Sequence, residues 1–96
     1  LSVRAQPIIS PGRWLSSGDY PMHLVERGVR GIVNFRLMVD AQGGVTGCHI
    51  QQSTRPAEFD ETVCKGLMRR AKFTPALDAA GQPMPSYYRN SVRFSL

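Results

Sequence analysis

The sequence predicts a two-layer α+β domain, a three-stranded antiparallel sheet with two helices packed on one face. Three patterns carry that expectation. From Gly31 to Asp40, Val33, Phe35, Leu37 and Val39 alternate with Asn34, Arg36 and Met38, the period of a strand with one buried face. Val63, Leu67, Ala71 and Cys64 fall instead on one broad side of a helix. Near the end the period returns to two, with Val92, Phe94 and Leu96 against Ser91, Arg93 and Ser95.

Residues 1–19 contain Pro7, Pro11, Gly12 and Gly18 and read as an extended N-terminal arm with turns. Trp14 and Leu15 are expected to fold back on the domain, because a Trp is seldom left exposed. A short helix over about 21–27 follows, with Asp19 as its capping residue, Pro21 in its first turn and Gly28 closing it. Met22, Val25 and Leu24 supply its apolar side.

After the first strand, Asp40-Ala41-Gln42-Gly43-Gly44 has hairpin-turn chemistry. A second strand over about 45–52 puts Cys48, Ile50 and Gln52 on one face, and Val45 joins them only through a bulge near Gly47. A second helix over about 57–71 follows Thr54-Arg55-Pro56, with Asp60 satisfying free amides in its first turn. Arg69, Arg70 and Lys72 form a solvated, dipole-matched end. Asp78-Ala79-Ala80-Gly81-Gln82-Pro83 is a turn-rich link to a last strand over about 86–95.

The 96 residues suffice for one small domain, and 42% hydrophobic with 20% charged residues is ordinary globular composition. Twelve Lys and Arg against seven acids give a net charge of +5, a bias toward acidic partners. No basic stripe interleaved with stacking aromatics marks a nucleic-acid surface, so no nucleic-acid partner is expected. The chain has no membrane-length apolar run and no signal-peptide character at Leu1-Ser2-Val3-Arg4. It does not begin with Met, and any membrane anchor is expected upstream.

Catalytic signatures are missing. There is no G-x-S-x-G elbow and no Gly-rich phosphate loop after a strand, and His23 and His49 have no carboxylate or nucleophile beside them in sequence. No cofactor, metal or catalytic residue is therefore expected. The last strand is expected at a sheet edge, which is either a liability blunted by charge, here Arg89 and Arg93, or a template for an incoming strand.

The ordered landmarks Tyr20-Pro21, the Gly31-to-Asp40 strand, Gly43-Gly44-Val45, Ser53, Phe59-Asp60 and Arg70-Ala71-Lys72-Phe73-Thr74-Pro75-Ala76 resemble the C-terminal domain of TonB. TonB is the periplasmic energy transducer of Gram-negative bacteria, and the resemblance runs over residues 20–96 as a TonB-like domain following the arm. Met84, Ala71 and the bulky Tyr87-Tyr88 depart from the usual pattern.

The resemblance implies a periplasmic domain tethered to the inner membrane by an upstream helix and coupled to the ExbB–ExbD motor. It implies that the domain grips the N-terminal TonB box of outer-membrane TonB-dependent transporters by strand addition. Force derived from the proton-motive force is then transmitted for uptake of nutrients such as iron–siderophore complexes.

Carried over by position, the pairing strand is Ser86, Tyr87, Tyr88, Arg89, Asn90, Ser91, Val92, Arg93 and Phe94, with Ser17, Gly18, Asp19 and Tyr20 close to the box. The alternative is a TonB-like sensing or regulatory domain of a membrane peptidase or signalling protein. Edge strands of this fold also pair across a two-fold axis, so a homodimer is a further possible partner state.

Cys48 and Cys64 stand 16 positions apart, one inward on a strand and one on the covering helix. The spacing excludes a C-x-x-C redox pair, and the histidines are badly placed to complete a zinc site. In an oxidising compartment a disulfide is the favoured reading, and two buried thiols the other. The paired cysteines resemble a subgroup of TonB-like proteins.

Overall fold

Residue by residue, burial along the first long strand alternates as its sequence dictates: Gly31, Val33, Phe35, Leu37 and Val39 are buried and their neighbours are not. The structure is a computed structural model and describes residues 2–54 and 56–96. Arg55, in the loop expected ahead of the second helix, and Leu1, the first residue of the expected arm, lie outside the described residues.

In chain order the elements are β1 (Gln6–Pro7), 3-10 turns at Pro11–Arg13 and Ser17–Asp19, α1 (Met22–Glu26), β2 (Gly31–Val39) and β3 (Val45–Ser53). They continue with α2 (Glu58–Arg70), β4 (Phe73–Thr74), β5 (Ala76–Leu77), β6 (Pro83–Met84) and β7 (Ser86–Phe94). The main sheet is antiparallel in the order β3-β2-β7, with β1-β4 and β5-β6 as small two-stranded ladders. This is the expected α+β architecture, with β7 at an edge.

The β2–β3 hairpin turns on Asp40. Its carboxylate accepts the amides of Gln42 and Gly44 at 2.9 and 2.8 Å, and its own amide donates to Gly44 O at 2.9 Å. Gly43 has a φ of +86°, and a Cβ there would lie 1.9 Å from the Phe73 carbonyl oxygen, so only glycine fits. The amide of Phe73 donates to Gly43 O at 3.0 Å, which fastens the turn to the strand leaving α2.

Two bulges set the faces of β3. Met38 pairs with Gly47 and Val39 with Val45, so Thr46 is the extra residue and Val45 joins Cys48 and Ile50, as the bulge expected near Gly47 requires. A second shift leaves Gln51 unpaired and sets Gln52 opposite Asn34 on the open face. That corrects the expectation that Gln52 shares the face of Ile50. Gln51, Gln52 and Ser53 offer no apolar side chain to hold the phase, and the bulge keeps a glutamine out of the core.

Helix α2 buries Phe59, Val63 and Leu67, carries Glu58, Asp60 and Glu61 in its first turn and Arg69 and Arg70 in its last. Charge thus opposes the helix dipole at both ends. Asp60 does not cap it. Its Oδ2 accepts the Ser53 hydroxyl at 3.0 Å, tying the helix start to the end of β3.

Three further expectations are corrected. In α1 only Leu24 is buried, Met22 and Val25 being exposed, because five residues make too short a helix to present an apolar stripe. Asp19 belongs to the turn before Pro21 and caps nothing in α1; Pro21 itself holds the cap position. Leu96 is exposed, since the ladder ends where Phe94 meets Gly31 and leaves no strand to cover it.

The core is continuous from the helices to the arm. Phe59 stacks on Phe94 with centroids 4.3 Å apart, and Tyr20 meets both edge-on. The Tyr20 hydroxyl donates to the Val29 carbonyl, which fixes the approach to α1. In the arm, Val3 and Leu77 exchange backbone hydrogen bonds at 2.9 Å, and Trp14 is 2% exposed beside Phe73 and Tyr88. Trp14 is a packing aromatic.

Candidate docking edge

Which backbone groups of β7 are free follows from the register. Ile32 turns its amide and carbonyl to the β3 side, donating to Thr54 Oγ1 and accepting from the Thr54 amide. Along β2, which carries no extra residue, odd-numbered residues therefore face β7. Their partners are Phe94, Val92, Asn90, Tyr88 and Ser86, so the odd residues of β7 point the other way. Tyr87, Arg89, Ser91 and Arg93 present their amides and carbonyls at the open edge, where among the described residues no strand of the sheet lies.

The arm runs beside that edge and leaves two grooves. One, of about 460 Å³, lies between Ser17 and Tyr20 on one side and Asn90, Ser91, Arg93 and Phe94 on the other, with Val92 also in its wall. The second, of about 530 Å³, brings Ser86, Tyr87, Tyr88 and Arg89 opposite the arm residues Val3 to Gln6. Trp14, in the wall of the first groove, meets Tyr88, in the wall of the second, with ring centroids 5.6 Å apart.

The residues expected near an incoming strand are thus brought together in part. Ser17 and Tyr20 line the groove; Gly18 and Asp19 do not. Asp19 closes a capping box with Ser16 and accepts from Arg70 at 2.8 Å. Hydrogen bonds from Arg70 and from the Ser16 amide hold the Asp19 carboxyl below its ordinary pKa, and Asp19 raises that of Arg70. Arg70 also donates to the Trp14 carbonyl at 3.0 Å, so it is a tie between helix and arm rather than a freely solvated end. Sequence reasoning expected Trp14 and Leu15 to fold back but missed this tie and the groove wall they form, because the arm, broken by Pro7 and Pro11, carries no period that predicts where it packs.

On the open sheet face, Arg36 lies between His49 on β3 and Arg89 on β7, and its guanidinium sits 4.8 Å over the Tyr87 ring. The cation–π contact gives Arg36 a favourable neighbour beside the like charge of Arg89. His23 lies 2.6 Å from Glu58, joining α1 to α2, a pairing invisible in sequence because the two stand 35 positions apart. Cys48 and Cys64 form the expected disulfide, with Cα atoms 5.6 Å apart, between β3 and α2. Among the described residues no group of three His, Cys, Asp or Glu side chains is placed to hold a metal, and no helix is long and apolar enough to cross a membrane.

The family model described as Gram-negative bacterial TonB protein C-terminal matches residues 17–96. The chain belongs to the TonB C-terminal domain family. Its fold is similar to the solution NMR structure of the Pseudomonas aeruginosa TonB C-terminal domain, with a TM-score of 0.69 at 18% identity, over 96% of this chain and 86% of that one. No curated protein matches the sequence significantly. A TonB C-terminal domain is a periplasmic binding and transducing domain, not an enzyme.

Proposed function

We propose that this domain is the receptor-docking module of a TonB-like energy transducer: it takes up the N-terminal box of an outer-membrane TonB-dependent transporter as an added strand along β7. An upstream helix outside this sequence tethers it to the inner membrane and the ExbB–ExbD motor, and the pull on the added strand serves nutrient uptake such as that of iron–siderophore complexes.

The observation that carries this reading is the edge itself. Four outward amides, at Tyr87, Arg89, Ser91 and Arg93, stand in one nine-residue strand, and a groove of about 460 Å³ lies beside its C-terminal half. Backbone pairing tolerates many peptide sequences, and a strand pulled along its length loads several hydrogen bonds together. Ser17 and Tyr20 would flank the incoming peptide on the arm side, with Gly18 and Asp19 shaping the turn that positions them.

Titrating isotope-labelled domain with short peptides from the N-terminal box of a transporter of the same organism tests it. Amide shifts are expected over Ser86–Phe94 and Ser17–Tyr20. Silence with several such peptides would move the assignment to a sensing or regulatory domain of a membrane peptidase or signalling protein.

A further inference from the structure

One outward amide of β7 is not free. The Ser91 N–H donates at 2.8 Å to the side-chain carbonyl of Asn90, the residue just before it. The Asn90 amide nitrogen in turn donates at 2.9 Å to the Tyr88 hydroxyl, and the Tyr88 ring is packed against Trp14 and Phe73. A side chain anchored in the core through Tyr88 therefore occupies the hydrogen-bonding position in the middle of the open edge. No side chain takes the amides of Tyr87, Arg89 or Arg93 among the described residues.

We propose that Asn90 is a latch on this edge: it closes β7 to strand addition in the unbound domain, and an added strand pairs across the centre of β7 only after Asn90 gives up the Ser91 amide. The latch rests on the docking reading above and gives that edge, beside the charges of Arg89 and Arg93, a second means of keeping it from pairing indiscriminately. Edge strands are commonly blunted by charge, proline or bulges. β7 has no proline and pairs with β2 without a shift in register, so Asn90 adds a hydrogen-bonded cap to the charges that Arg89 and Arg93 bring to the same strand. Because the cap is a side chain rather than a covalent feature, a partner that supplies a full row of backbone bonds displaces it, and one that supplies a single bond does not.

The latch has two separable consequences. In the free domain the Ser91 amide exchanges more slowly, relative to its intrinsic rate, than the Arg89 and Arg93 amides on the same edge. When peptide binds, the cap is a competing closed state, so the apparent affinity is lowered by the fraction of molecules that are open. One hydrogen bond of ordinary strength makes that penalty about fivefold.

The test is amide exchange on the free domain, followed by calorimetric titration with a transporter box peptide, for wild type, Asn90→Ala, Asn90→Asp and Tyr88→Phe. Asn90→Ala is expected to abolish the selective protection of Ser91 and to tighten peptide binding about fivefold. Asn90→Asp keeps an acceptor oxygen and retains the protection. Tyr88→Phe keeps the ring in the core, removes the anchoring hydroxyl and is expected to fall between Asn90→Ala and wild type. A wild-type Ser91 amide exchanging like those of Arg89 and Arg93 overturns the latch, and so does an Asn90→Ala domain that binds no more tightly than wild type. If no variant binds any peptide, the docking reading fails, and the exchange data alone still decide whether Asn90 caps the edge.

Discussion

The guanidinium of Arg70 donates to the carboxylate of Asp19 at 2.8 Å across 51 positions of sequence. This one pair joins the C-terminal end of α2 to the turn that carries Ser17 and Tyr20, so the wall of the groove beside β7 is held by the helix that forms the core.

Its acid dependence follows from the direction of the Asp19 shift. The folded-state pKa is lowered, first by the hydrogen bond from Arg70 and then by that from the Ser16 amide. The stabilisation is therefore complete above the ordinary carboxylate value and is lost as pH falls through the lower folded value. Wild type should melt higher than Asp19→Asn at neutral pH, with the difference closing below about pH 4. Melting temperatures across pH 2–7 check this, and a constant difference would show that the charge is not responsible.

Gly43 and Gly81 both have positive φ, at +86° and +80°, but only Gly43 has a neighbour where a Cβ would go. Gly43→Ala should cost about 3 kcal/mol, from strain and from the clash with the Phe73 carbonyl. Gly81→Ala should cost roughly 1 kcal/mol, from backbone conformation alone. Urea unfolding of the pair separates the two contributions.

The Cys48–Cys64 bond closes a loop of sequence separation 16 and ties an edge strand to its covering helix. Replacing both cysteines by alanine should cost about 3 kcal/mol on the chain-entropy account. Denaturant unfolding measures it, and reduction of the wild-type protein should add two hydrogens to its mass.

Much of the fold was legible because local pattern and tertiary role agree. The alternation of Val33 to Val39 could bury only one way in a central strand, and Phe59, Val63 and Leu67 could cover it only from a helix. Sequence failed where structure depends on partners far along the chain. Asp19 looks like a helix cap until Arg70 is beside it, and Gln52 looks inward until Gln51 is extruded. The site followed the same division. β7 read clearly as a terminal edge strand, whereas which amides point outward depends on register with β2, and the Asn90 cap depends on Tyr88 being fixed by Trp14.

Register makes proline substitution informative. Ser91 has an outward amide and Val92 an inward one that pairs with Val33. Ser91→Pro should leave the fold in place and abolish peptide binding, while Val92→Pro should break the β2–β7 ladder and destabilise the domain by about 3 kcal/mol. Circular dichroism melts with calorimetric titration distinguish them. Equal loss of stability in both would refute the register argument.

The most direct measurement of strand addition is amide exchange along β7 with and without a bound box peptide. The account predicts alternation: the amides of Tyr87, Arg89 and Arg93 gain protection on binding, that of Ser91 trades its bond to Asn90 for one to the peptide and gains less, and those of Tyr88, Asn90 and Val92, already bonded to β2, change little. Protection spread evenly over the strand, or confined to the arm, would contradict it.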